Sequence, residues 1–114
     1  MAFPKSNLFF KEDETPWKVA GEGVLRQILG YDDRIMMVNV KFEKGAIGYL
    51  HHHHHTQVTH IAAGTFEVTI EEETRILKKG DSFYIPSNKI HGVVCLEAGI
   101  LIDVFSPIRE DFIK

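Results

Sequence analysis

With 114 residues, 44% of them hydrophobic and 25% charged, the chain is sized for one compact domain that buries a core without disulfide staples, and its single Cys95 can close no internal bridge. A formal net charge of −3 and the absence of any basic block exclude the electrostatic footprint of nucleic-acid binding, and no apolar run approaches a membrane span of about 20 residues. No charged-then-apolar leader opens the sequence, so a cytoplasmic protein is expected.

Residues 1–23 lack a clear period and read as an N-terminal arm leading into a strand at 24–29. Residues 34–42, RIMMVNVKF, set Met36, Val38, Val40 and Phe42 on one strand face, and Glu43-Lys44-Gly45 breaks the run. A strand follows at 57–63. Phe66, Val68 and Ile70 then alternate with Thr65, Glu67 and Thr69, the pattern of a half-buried strand ending in an acidic tip at 71–73. Further strands fit 74–77, 82–85, 91–96 and 100–105, with Lys79-Gly80-Asp81 and Glu97-Ala98-Gly99 as turns. The tail, Pro107 to Lys114, reads as a short helical turn or as a segment that packs on a partner. Many short strands at this spacing predict an all-β sandwich or barrel in a single domain, 1–114.

Six of the seven histidines lie between Gly45 and Gly64, in GAIGYLHHHHHTQVTHIAAG, and the seventh is His91. In an extended strand His51 and His53 share a face while His52 takes the other. Gln57 adds a neutral amide oxygen six residues beyond His51, and His91 is the remaining imidazole. His51, His53, Gln57 and His91 therefore form the expected ligand set for one divalent transition metal ion (zinc, nickel, iron, manganese or cobalt), with positions left open for water or substrate. His52, His54 and His55 are assigned to the rim or solvent, and His60 to the barrel wall or pocket.

Residues 100–105, ILIDVF, are an apolar strand interrupted by Asp103, which shares a face with Leu101 and Phe105. A carboxylate there needs a partner or a task. A salt bridge to Arg109 or an edge position is one reading; a general acid or base facing the metal is the other. In the second, Arg109 clamps a substrate carboxylate.

Gly45, His51, His53, Gln57 and Gly64 resemble the first cupin motif, and Gly80, Pro86 and His91 the second. Gln57 replaces the usual glutamate and Asn88 replaces the usual glycine after Pro86; Asn tolerates the positive backbone angle such a turn needs. The segments GEGVLRQILGYDDRIMMV, HGVVC and DVFSPIREDF are more narrowly similar to the small cupins of pectin and alginate catabolism, though the extra histidines after His53 depart from them. That resemblance implies a jelly-roll barrel and conversion of 4,5-unsaturated uronates to linear ketouronates. It further implies metal ligation by His51, His53, Gln57 and His91, proton transfer by Asp103, and substrate contacts from Phe105 and Arg109. The partner expected is a small carboxylated sugar. Another metal-dependent cupin enzyme, a dioxygenase or sugar isomerase, and a non-enzymatic binding cupin are the competing readings. The unprotected edges of a small sandwich predict a homodimer, formed by exchange or edge pairing through residues 1–30.

Overall fold

A computed structural model describes residues 5–114. Its strands are β1 Lys18–Gly21, β2 Val24–Tyr31, β3 Met36–Phe42, β4 Ile47–His51, β5 Thr56–Ile70, β6 Glu73–Lys78, β7 Ser82–Ile85 and β8 His91–Ser106. Single 3₁₀ turns at Glu12–Glu14 and Glu110–Phe112 are the only helical segments among the described residues. No helix there is long and apolar enough to cross a membrane.

Two long strands organise the molecule. β5 and β8 pair antiparallel from Thr56↔Ser106 to Ile70↔His91. One end of this pair takes β3 and β7 as neighbours, and the other takes β4 and β6. The chain thus builds two sheets, β1-β2-β3-β8-β5-β7 and β4-β8-β5-β6, that share their central strands and fold over each other as a jelly roll.

Here the structure corrects the expected strand breaks. Residues 57–63 and 65–70 belong to one strand, as do 91–96 and 100–105. The glycine signals mark a bend rather than a chain reversal. Register shifts cluster between Ile61 and Phe66, and Gly64 sits at φ +85°. A Cβ on Gly64 would lie 2.5 Å from the Glu97 carbonyl oxygen, and one on Gly99 would lie 2.1 Å from that of Ala63. Only glycine lets the two backbones cross this closely. The short strand β1 was not expected from sequence, because all four of its residues are exposed and carry no alternation.

Alternation places Met36, Val38 and Phe42 inside, as expected. Two apolar clusters result. Val24, Phe42, Ile61, Phe66, Val68, Cys95 and Leu101 form one, with Phe42 and Phe66 edge to face at 5.2 Å. Met36, Val38, Phe105 and Ile108 form the other. The interior also carries the polar side chains of Gln57, Thr59 and Asp103.

The N-terminal arm packs on its own barrel. The fully buried Gln27, on the outer face of β2, donates to the carbonyls of Glu12 and Thr15 at 3.0 Å each, and Ser6 bonds the backbone of Tyr31. Residues 1–4 of the arm lie outside the described residues.

Candidate active site

The three histidines meet as the spacing requires, by a different local route. Strand β4 ends at His51, and His53 lies beyond it, just before a bend at His54 and His55. That bend is pinned by the second motif, where the Asn88 N–H donates to the His53 carbonyl at 2.8 Å. Asn88 itself sits at φ 66°, the left-handed angle its residue type tolerates. His51 and His91 are direct cross-strand neighbours on β4 and β8. One ring nitrogen from each of His51, His53 and His91 lies within 4.8 Å of the others.

Each ring is oriented by its own backbone. The Nδ1 atoms of His51, His53 and His91 contact the carbonyls of Tyr49, His55 and Lys89 at 2.8, 3.0 and 2.9 Å. A carbonyl only accepts, so Nδ1 carries the proton and Nε2 keeps its lone pair. The His91 Nε2 is buried with no hydrogen-bond partner among the described residues. A buried lone pair left unmet is costly, and a cation relieves it. The donor set therefore fits a divalent transition metal ion.

Gln57 links this cluster to the proposed acid. Its Oε1 lies 3.0 Å from the His53 Nε2, while its Nε2 donates to Thr59 Oγ1 at 2.9 Å and to Asp103 Oδ1 at 3.3 Å. Thr59 Oγ1 in turn donates to Asp103 Oδ1 at 2.6 Å. With its amide hydrogens committed to these acceptors, Gln57 must turn its oxygen toward the histidines. Two ligands at about 2.1 Å and a right angle stand roughly 3.0 Å apart, as the Gln57 oxygen and His53 nitrogen do. A glutamate at 57 would instead set two carboxylates side by side and force a proton between them. The departure from the usual motif thus has a local cause, the Asp103 carboxyl.

Asp103 stands in an interior cross-strand row with Val38, Thr59 and Phe83, next to the row of Met36, Phe105, Gln57 and Ile85. The expected shared face of Leu101, Asp103 and Phe105 lines one pocket of about 560 Å³, together with His51, Gln57, His91 and Arg109. Asp103 makes no ion pair with Arg109. Arg109 instead grips Asp111 through Nε and Nη2 at 3.1 and 2.9 Å, beside the rings of Phe105 and Phe112.

The sequence reading missed two features. His55, assigned to the rim, is buried beneath Phe105, because alternation stops when β4 ends and the bend carries the ring inward. Arg26 lines the same pocket from β2. Its signal was the charged residue between the inward-facing Val24 and Ile28. His60 belongs to the barrel wall but is exposed, so the alternative of a pocket position is dropped.

Burial pushes the Asp103 carboxyl up to about 6, against the opposing pull of Thr59, Arg109, Arg26 and Gln57. Burial lowers His91 to about 4. These shifts oppose each other in stability. The His91 contribution is full above 6.5 and is lost as pH falls through about 4; the Asp103 contribution is full below 3.8 and is lost as pH rises through about 6. In metal-free protein the two offset across this window. Metal-free Asp103→Asn should therefore show stability rising from pH 4 to 6.5, by up to roughly 3 kcal/mol at about 1.36 kcal/mol per unit. Denaturant melts across that range check this, and a flat profile contradicts it.

Residues 38–105 match the family pattern of a cupin domain. The chain is a cupin. This cupin is 53% identical over 107 residues to the pectin degradation protein KdgF of Dickeya dadantii (strain 3937), a match covering 92% of this chain and 97% of that protein. Among solved structures it resembles an RmlC-like cupin from Shewanella frigidimarina NCIMB 400, with a TM-score of 0.93 at 44% identity, covering 95% of this chain and 97% of that one. It also resembles KdgF from Halomonas sp., with a TM-score of 0.89 at 42% identity, covering 91% and 98%.

Proposed function

We propose that this cupin converts 4,5-unsaturated uronate monosaccharides to linear ketouronates in pectin breakdown. The observation that carries the reading is the Asp103 carboxyl, anchored by Thr59 and Gln57 in the same pocket as the histidine cluster. The likeness to a pectin degradation protein over nearly the whole chain supports it.

His51, His53, Gln57 and His91 would hold a divalent transition metal ion, which when bound supplies Lewis-acid polarisation and orientation of the sugar oxygens. The chain's own residues do the rest. Asp103 is bonded through Oδ1 only, which leaves Oδ2 for the substrate. A carboxyl lifted toward 6 is a competent proton donor near neutrality. Its proton goes to C4 of the ring alkene, and a water oxygen adds at C5 to give a hemiketal. Return of a proton to the ring oxygen breaks the C5–O bond, leaving a ketone at C5 and a hydrated aldehyde at C1. Loss of water from C1 completes a net isomerisation with no redox change. Phe105 walls the site, and Arg109, forked to Asp111, lines it beside Phe105 and Phe112. Turnover of unsaturated galacturonate, followed by loss of the alkene absorbance, tests the reading.

Several related assignments belong to the same proposal. The protein works in the cytoplasm on a small carboxylated sugar. It forms a homodimer through the edge of β1, which among the described residues pairs only with β2 and whose Val19 is 80% exposed. Light scattering at micromolar concentration should read two chains per particle; a single chain contradicts the dimer.

A further inference from the structure

We propose that Arg26, rather than Arg109, is the residue that takes the substrate carboxylate directly. The inference rests on the uronate reading above and deepens it. Arg26 lies on the interior face of β2, opposite Val40, which in turn faces Leu101 of β8. Its neighbours on that face are Val24 and Ile28, so alternation delivers a cation to an otherwise apolar wall of the pocket.

Among the described residues the Arg26 side chain makes no hydrogen bond and no ion pair. Its guanidinium instead lies 3.6 Å from the centroid of the Phe112 ring. Stacking uses the flat face of the guanidinium and leaves the in-plane N–H donors unspent. Arg109 contacts the same ring at 4.3 Å, but its Nε and one terminal nitrogen already form a two-point fork with Asp111. Asp111 thus neutralises one guanidinium of the two. Arg26 has no such fork with a carboxylate among the described residues. A half-buried cation beside a second cation is unfavourable until an anion joins it. Desolvation of Arg26 and its repulsion from Arg109 outweigh the attraction of Asp111 and Asp103 and lower its pKa. A uronate carboxylate is planar and accepts two parallel N–H bonds, which the open edge of Arg26 can supply and a lysine cannot.

The competing role is structural, with Arg26 merely holding the Glu110–Phe112 turn through its ring contact. Ligand chemistry separates the two. Metal-loaded wild type, Arg26→Gln and Arg26→Lys are titrated with galacturonate and with galacturonamide, which lacks the charge but keeps the sugar. Wild type should prefer galacturonate. Arg26→Gln should weaken galacturonate by about 10- to 100-fold and galacturonamide by less than about twofold, the size of a charge-assisted bond pair. Arg26→Lys should lose several-fold of the preference. Should Arg26→Gln fail to fold, as read by circular dichroism and metal content, Arg26→Lys carries the test through the same ratio. An unchanged preference in the folded variants, or parallel weakening of both ligands, overturns the proposal. Saturated uronates have no ring alkene to hydrate, so binding is read apart from chemistry. Turnover of unsaturated galacturonate with an unchanged preference in the variants defeats Arg26 alone, whereas absence of turnover in wild type defeats the uronate reading.

Discussion

Asp103→Asn is expected to keep the fold and the bound metal and to lose about 10²–10⁴-fold in turnover on unsaturated uronates, the range typical of a general acid–base group. Asparagine matches the shape of the carboxyl. Its Oδ1 can accept from Thr59 and Gln57 where the Asp103 Oδ1 does now. The substitution therefore removes the transferable proton while sparing the network that positions it. The loss should fall on kcat, because the binding groups are untouched. A purely structural carboxyl makes a different forecast. Breaking its hydrogen bonds would lower the yield of folded protein, and the folded remainder would work at the normal rate. Turnover per folded, metal-loaded molecule decides between them, and near-normal turnover ends the catalytic role.

His91→Ala should empty the metal site without unfolding the barrel. His91 is 5% exposed, and its Nε2 has no partner among the described residues. In metal-free protein its removal therefore costs packing and the Nδ1 bond to Lys89, but relieves the burial of an unmet polar atom. The effect should appear on adding metal. A bound ion stabilises by mass action, by about 2.7 kcal/mol at a hundredfold excess over its dissociation constant. Added divalent metal should raise the melting temperature of the wild type and leave that of His91→Ala nearly unmoved. Equal metal content in the two proteins, measured by elemental analysis, would remove His91 from the ligand set.

The chain shows unevenly how much of this could be read in advance. The meeting of His51, His53 and His91 was legible because it is set by strand and turn lengths, and the jelly roll joins Gly45–Gly64 to Gly80–His91 in one way. The face shared by Leu101, Asp103 and Phe105 was legible because β8 keeps strict alternation there. The bend at Gly64 and Gly99 was misread, since a glycine that ends a strand and a glycine that lets two strands cross look alike until the partner is known. His55 was misplaced for a related reason: the periodicity that governs β4 has no authority over the four residues after His51. The fork between Arg109 and Asp111 arises in an irregular tail, where spacing says nothing about geometry. Arg26 was legible in principle, as a cation on an inward face, but its meaning depends on Phe112, 86 positions further along the numbering.

The most direct test of the proposed activity uses unsaturated galacturonate generated freshly by digestion, with alkene absorbance followed in the presence of metal-loaded protein, chelator-stripped protein and no protein. Metal-loaded protein should speed the loss of absorbance well above the spontaneous rate and yield the linear ketouronate without consuming oxygen. Stripped protein should fall back toward the spontaneous rate and recover on adding metal. Absorbance loss at the spontaneous rate with fully loaded, folded protein would contradict the assignment.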